Sequence, residues 1–336
     1  MKATLRGHGR AEPRLRTAWR VLRPALSLVA GCALLAWVLS GVQWAQLRAS
    51  LQSMRLWVLL VAFALLLGND FFLAVKCYLL RPDLPFWRAY CAFLGMRFFS
   101  LLPGGNVTGE AARLLALREL AGAQAATAMV LMDKQTHMIP AQVYCILGLL
   151  LASIPMPAPL VWLAVWSLLW PLLAPGVLFI PRVRRFALTA LAGLQRWRMG
   201  AALYRQLQTL CESCTGLAGH PRQLAAHLVC GFLGEGCCIA TQALLAWRLG
   251  IAVPLADWLW INSMMLLAMV LPLSVMGMGV REGAMVLLLG WFGISRSLAM
   301  SLPLLISSLT LIKGVAAGLV VTLDKRRRLS SHTKER

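Results

Sequence analysis

Uncharged apolar runs long enough to cross a bilayer recur along the whole of this chain, and no other feature constrains its fold so strongly. Sixty per cent of the 336 residues are apolar and only 13% are charged. Candidate spans are 24–42, 56–75, 137–154, 158–180, 224–249, 257–275 and 298–322, with 281–296 as a shorter eighth. A segment in hydrocarbon must satisfy its own backbone, so continuous runs of this length mean helices, whereas a barrel would show short alternating strands. The expected class is all-α: a polytopic transmembrane bundle of about eight crossings. A basic segment before an apolar stretch also fits a secretory signal peptide, but the run is long and no small-x-small cleavage pattern follows Ser40.

The formal charge of +21 would suit nucleic acid if it were spread over a soluble surface, but it is gathered beside the spans. Residues 1–23 carry Lys2, Arg6, Arg10, Arg14, Arg16, Arg20 and Arg23 against Glu12; the tail from 323 to 336 begins with Lys325, Arg326, Arg327 and Arg328. Between them, 181–222 carries Arg182, Arg184, Arg185, Arg196, Arg198, Arg205 and Arg222 against Glu212, alternating with Phe186, Leu188, Leu191, Leu194 and Trp197. The positive-inside rule places all three segments in the cytoplasm, with both termini inside and the uncharged turn at 154–159 outside. This predicts a multi-pass protein of a cytoplasmic (inner) membrane: a single domain over 24–322, flanked by the basic N-terminus and tail. The 181–222 segment reads either as amphipathic helix lying on anionic headgroups or as a connector helix packed on the bundle. No nucleic-acid partner is expected.

Two segments break the apolar pattern. Leu271-Pro-Leu-Ser-Val-Met-Gly-Met-Gly-Val-Arg-Glu-Gly283 sets an ion pair among glycines between two apolar stretches, and Leu102-Pro-Gly-Gly-Asn-Val-Thr-Gly-Glu-Ala-Ala-Arg113 repeats the theme. Pro272 follows Pro103 by 169 positions (272 minus 103), about half the chain. Irregular backbone at membrane depth persists only where protein buries it or it lines a wet cavity, so both segments are candidate re-entrant sites. With both termini inside and eight crossings, both motifs would start from the cytoplasmic side. That suits a parallel repeat; a miscounted crossing would instead suit an inverted one, and the sequence leaves both open.

These motifs, Leu102-Pro103-Gly104-Gly105 with Gly109, Glu110 and Arg113, and Pro272 with Gly277, Gly279, Val280, Arg281, Glu282 and Gly283, followed by Gly293, resemble the lysylphosphatidylglycerol synthase transmembrane family, also called flippase-like. The resemblance spans most of residues 25–322 and implies a polytopic lipid-handling protein. In the family's best-known members this domain moves an aminoacylated phospholipid across the bilayer and a soluble aminoacyl transferase domain follows it. The chain ends at Arg336 without one, so synthesis of the aminoacyl lipid is not expected.

Within the motifs, Arg281 is the first candidate for a substrate ligand, since guanidinium holds phosphate in a planar, bidentate way and Glu282 would orient it or bind a cationic group. Glu110 and Arg113 share a helix face and would form the matching half, with Gly104, Gly105, Gly277 and Gly279 letting a headgroup approach and Asn106 and Thr108 donating hydrogen bonds. Residues 110–134 read as helix interrupted only at Gly122, and its N-terminus would attract an anion. Each pair also has a structural reading, as an ion pair tying a turn to the bundle. Glu235 and Lys313 lie roughly 17 and 14 Å deep at 1.5 Å per residue, and the expectation is that they pair, as a bridge or a coupling site. Asp133, Lys134 and His137, like Asn69, Asp70 and Lys76, read as membrane-boundary clusters, with proton coupling through His137 as the rival. The tryptophans, among them Trp57, Trp87, Trp258 and Trp260, read as an interfacial belt.

Phosphate-binding loops, nucleophile elbows and metal-hydrolase signatures are absent from the sequence, and Cys211-x-x-Cys214 lacks a second pair at zinc spacing. The expectation is therefore no catalytic residue, no metal and no cofactor. The function expected is a lipid translocase or lipid-binding transporter for a polar, phosphate-bearing headgroup on a phospholipid, polyprenyl-phosphate sugar or hopanoid-like lipid. The alternative is a scaffold for a lipid-modifying or glycosyl-transferring enzyme, bound through 181–222.

Overall fold

The computed structural model describes residues 54–102, 105–155, 181–192, 221–270 and 280–334, together with positions 162, 200, 201, 204, 205 and 208. The spans expected at 24–42 and 158–180, the Cys211–Cys214 pair, and Gly104, Gly277 and Gly279 lie outside these residues. The described residues are helix and turn throughout: α1 (Leu56–Tyr78), α2 (Phe86–Phe99), α3 (Gly105–Ala121), α4 (Ala123–Leu150), α5 (Pro181–Ala192), α6 (Pro221–Arg248), α7 (Leu255–Val270), α8 (Val280–Gly290) and α9 (Arg296–Lys334). Among the described residues, three stretches, Leu56–Tyr78, Arg222–Arg248 and Arg296–Asp324, are long and apolar enough to cross a membrane. The chain is an integral membrane helical bundle.

Two halves follow the same plan. In each, a long helix (α1, α6) leads into two short helices (α2 and α3, α7 and α8) and then another long one (α4, α9). The short helices cannot span: α2 has 14 residues and α8 has 11, about 21 and 16 Å against a hydrocarbon core of about 30 Å. Both pairs open immediately after a proline, Pro85 and Pro254, which ends the preceding turn and presets the entry into the helix. The helix starts, Phe86 and Leu255, are again 169 positions apart (255 minus 86). The long closing helix of each half carries an internal proline, Pro140 or Pro303.

The short helices fold back as hairpins. Arg113 of α3 lies against Met96 of α2, and Gly109 packs so closely on Met96 and Ser100 that a Cβ there would overlap them. Gly105 makes the reversal, with φ 53 in the left-handed region that favours glycine, and its N–H closes the turn on the Leu102 carbonyl at 2.9 Å. In the second half, Trp260 near the start of α7 stacks on Trp291 and Phe292 just past the end of α8. The helix expected over 110–134 begins five residues earlier and splits at Gly122, where φ 82 turns the chain from α3 into α4.

Packing between halves settles their relation. α1 lies along α6 with opposite direction: Gln223 donates to the Leu79 carbonyl, His227 Nδ1 lies 2.8 Å from the Lys76 carbonyl, and Asn69 donates to the Gly234 carbonyl at 2.7 Å. Equivalent helices that pack antiparallel mean an inverted repeat, not the parallel one that a count of crossings favours. The other contacts obey the same exchange. α4 packs on α7, where Gly148 admits the Trp260 backbone and Ser263 donates to the Ala141 carbonyl. α9 packs on α2, where Gly314 receives Leu101 and Gly318 receives the Phe98 ring.

The hairpins therefore enter from opposite faces. The base of the first is held by Trp87, whose indole N–H donates to Asp324 near one end of the α9 span at 2.8 Å. Its tip reaches Gly314, ten residues back along α9 (324 minus 314), or about 15 Å, half the hydrocarbon thickness. The base of the second is held at the other face, where Asp257 accepts from the Ser153 N–H and hydroxyl and from the Trp260 indole. Trp258 and Trp260 are correspondingly buried rather than interfacial, because α7 lies inside the bundle; Trp57, Trp87 and Trp247 stay exposed.

Close approach at glycine is the device that seats the first hairpin. Replacing Gly318 with Leu is expected to cost about 1–3 kcal/mol by overpacking, read as a lower thermal midpoint of the detergent-purified protein. Gly290→Ala, where an added Cβ meets nothing within 4 Å, should leave the midpoint unchanged.

Candidate functional site

The interior of the bundle holds two carboxylates that each bridge two cations. Asp70, near the middle of α1, lies 2.7 Å from Arg97 Nη2 of α2 and 2.8 Å from Lys313 Nζ of α9. Asp133 of α4 lies 3.1 Å from Lys76 Nζ of α1 and accepts a hydrogen bond from Arg113 Nη2 of α3 at 2.9 Å. The chain of charge continues outward, from Arg113 Nε to Glu110 at 3.4 Å and from Glu110 to Lys134 at 2.6 Å. A charge at this depth costs roughly 3 kcal/mol or more unless paired, so these bridges are what permit ionised groups here at all.

This geometry revises several sequence expectations. Asp133 is buried between two cations, beside Lys76 in the last turn of α1, and Thr136 one turn on contacts His227 Nε2 at 2.7 Å. Arg113 meets Asp133, Glu110 and Met96, so it ties α3 to α4 and α2. Asn106 is exposed in the first turn of α3, while Gly105 is buried at the turn itself. Glu110 stands in the second turn, bonded to its neighbours rather than presented at a helix start.

The expected Glu235–Lys313 bridge does not form. Lys313 finds Asp70 and the Leu66 carbonyl at 3.4 Å, whereas Glu235 accepts from the Asn262 amide at 2.5 Å, whose oxygen in turn accepts from Gln242. The reason is rotational position: Asp70 of α1 presents its carboxylate to Lys313, while Glu235 of α6 faces α7.

On the second hairpin, Glu282 is buried and accepts from Ser307 of α9 at 3.3 Å. Arg281 is half-buried, and its Nε has no hydrogen-bond partner among the described residues. Ser307 and Lys313 straddle the middle of the Arg296–Asp324 span, so the two hairpins meet α9 within about 9 Å of each other along its axis. The arrangement brings Arg97, whose side chain is 28% exposed, and the half-buried Arg281 toward the middle of the bundle, and a guanidinium there is suited to recognise an oxyanion.

Arg97, Asn262, Gln242 and His227 were not legible as site residues. Arg97 had a signal: a lone arginine within Ala89-Tyr-Cys-Ala-Phe-Leu-Gly-Met-Arg-Phe-Phe99 is an ionisable group in an otherwise uncharged run. The run was too short to count as a span, and a re-entrant helix is short by nature.

Comparison with known families adds one match: the family model described as the lysylphosphatidylglycerol synthase TM region covers residues 23–318. No curated protein and no solved structure matches the chain.

Asp133 anchors the larger bridge. Asp133→Ala would strand Lys76 and Arg113 together and is expected to cost about 3–5 kcal/mol, seen as loss of monodisperse protein on gel filtration. Lys134→Ala, at a side chain 52% exposed, should cost no more than about 1 kcal/mol.

Proposed function

Because the chain belongs to the lysylphosphatidylglycerol synthase TM-region family, a membrane lipid-related role is its premise, and we propose that it is a lipid translocase or lipid-binding transporter. In this reading a phosphate-bearing headgroup enters between the two hairpin tips and the tails stay in the bilayer. The observation that carries the reading is the meeting of two short-helix hairpins from opposite faces on the middle of α9, each bringing an arginine there, Arg97 and Arg281. An inverted pair of broken helices around one central site suits access from either leaflet, because exchanging the two halves turns one open face into the other.

Arg281 is the proposed headgroup ligand, with Glu282 holding the turn to α9 through Ser307. Glu110 and Arg113 position the first hairpin, so that Gly105 and Asn106 stand at its tip. Gly104, Gly277 and Gly279 complete the lining proposed from the motifs. The basic tail and the α5 segment, where Arg182, Arg185 and Phe186 are exposed, are assigned to the cytoplasmic leaflet of an inner membrane and to contact with anionic headgroups. That places the base of the first hairpin at the cytoplasmic face, beside Asp324, and the base of the second at the opposite face.

The test is movement of fluorescently tagged lipid across proteoliposome bilayers, followed by quenching of the outer leaflet. Arg281→Ala and Glu282→Ala proteins that still fold and insert are expected to lose most of the wild-type rate. An undiminished rate would remove the site assignment. If those variants keep full function in cells while loss of the surface arginines of α5 abolishes it, the scaffold reading takes its place.

A further inference from the structure

We propose that Glu235 is a proton-binding site and that lipid movement is coupled to the loss and return of its proton. The proposal rests on the lipid-handling reading above and supplies the ion that drives it.

The two halves make the same join with different chemistry. In the first, Asp70 of the leading helix α1 meets Arg97 of α2 at 2.7 Å; in the second, Glu235 of the leading helix α6 accepts from Asn262 of α7 at 2.5 Å. The carboxylates are 165 positions apart (235 minus 70) and so are their partners (262 minus 97). That is four residues, about one helical turn, from the 169 that relates the helix starts. Each join ties a long helix to the first short helix of its hairpin. Asp70 finds a guanidinium and, at 2.8 Å, the Lys313 ammonium, whereas Glu235 finds an amide.

Glu235 lies where charge most needs a partner. It stands 13 residues from each end of the Arg222–Arg248 span (235 minus 222, 248 minus 235) and is 5% exposed. It forms no ion pair among the described residues. The charged groups on the helices packed against α6, namely α1, α4, α7 and α9, are engaged elsewhere. Lys76 of α1, which acts on Glu235 electrostatically, is held by Asp133 of α4 at 3.1 Å; Lys313 of α9 is held by Asp70, and Asp257 of α7 by Ser153 and Trp260. Toward α6, α4 turns Thr136, in contact with His227, and Tyr144, whose hydroxyl donates to the Phe232 carbonyl. Cys237 and Cys238, which follow Glu235 on α6, are free thiols. The apolar stretches 24–42, 158–180 and 271–279 contain no Lys or Arg. An unpaired carboxylate in such a medium is costly, and one proton removes the cost. A side chain this enclosed admits a proton but not an ammonium group, which needs room for its own hydrogen-bond shell.

An amide partner serves both states, as a guanidinium, with donors only, could not. As it stands, Asn262 donates to the carboxylate; turned over, its oxygen accepts the acid O–H. Its nitrogen then faces Gln242, whose Oε1 has no hydrogen-bond partner among the described residues and can turn to accept it. The step is protonation alone: the carboxylate gains one proton and later releases it. The bond to Asn262 is stronger when Glu235 is ionised, so the proton sets how firmly the second hairpin is held to α6.

Infrared spectroscopy of the full chain in detergent tests the site without a lipid substrate. The expected result is a carboxylic-acid C=O band at neutral pH that moves on exchange into D2O and is missing from Glu235→Gln; no such band in the wild type would overturn the proposal. If Glu235→Gln folds poorly, Asn262→Leu is expected to move the band to higher frequency as the carbonyl loses its donor, and an unmoved band would assign it to another carboxyl and remove Glu235. Coupling is read from tail-labelled phosphatidylglycerol in proteoliposomes under an imposed pH difference, with the membrane potential held at zero. One proton per lipid sets up to about a tenfold unequal distribution between leaflets for each pH unit, and Glu235→Gln should leave the leaflets equal. Equal leaflets in the wild type despite lipid movement would overturn the coupling and leave the lipid-handling reading intact. The infrared band without any lipid movement would keep the proton site and sink that reading.

Discussion

Charge inside a medium of low dielectric must be neutralised by a partner close by, and the interior of this protein is arranged around that requirement. Asp70 and Asp133 each draw two cations from different helices, and between them they join α1, α2, α3, α4 and α9. Neither bridge would be needed in a bundle of purely apolar helices, which van der Waals packing alone would hold less specifically. The bridges set the rotation of α1 about its axis, because Asp70 and Lys76, six residues apart, must meet different partners on different neighbours. Hydrogen bonds along the α1–α6 interface, from Asn69 and to the Lys76 carbonyl, then set its height.

Inversion of the two halves follows a second constraint, that helices too short to cross must return to the face they came from. A hairpin of short helices leaves carbonyl and amide groups at its tip in the middle of the bilayer, where water is scarce. The two hairpins, anchored at opposite faces, both reach polar groups of the interior, Arg97 meeting Asp70 of α1 and Glu282 meeting Ser307 of α9. Small residues make the approach close enough: Gly314 and Gly318 on α9 admit α2, and Gly148 on α4 admits α7. The anchors at the hairpin bases are polar and single, one carboxylate with an indole or hydroxyl at each face, so that the rigid contacts lie at the surfaces and the charged ones in the middle.

The charged groups divide into those that are fully buried and those that are partly exposed. Arg113 and Lys76 are closed in by their partners and cannot meet a ligand without unmaking the fold. Arg97 and Arg281 are partly exposed. The residue types in the two motifs are alike, yet the motif arginine of the first half became a fastener and an arginine outside the motif took the accessible position. Motif membership therefore locates the hairpin tips more reliably than it assigns roles to side chains.

Much of the architecture is written in local composition. Apolar runs of sufficient length oblige helices, and Pro and Gly at 103–105 and 272–283 mark where helices must break, because those residues remove donors or admit backbone that others cannot adopt. Of the expected spans, 56–75, 224–249 and 298–322 fall on helices long enough to cross, whereas 137–154 falls on the later part of α4 and 257–275 and 281–296 fall on the short helices α7 and α8. Pairing is different: Lys313 was expected to meet Glu235 on depth alone, but depth gives no angle about the helix axis, and the angle turns Lys313 to Asp70 and Glu235 to Asn262. The helix α2 is not legible as a membrane-embedded element, because its 14 residues are too few for a rule built on spanning length. The sequence by itself determined an all-helical membrane chain with two glycine-broken segments, since those follow from backbone chemistry in hydrocarbon. Only the tertiary structure decided that the halves are inverted and which charges meet, because both depend on how separate helices face one another.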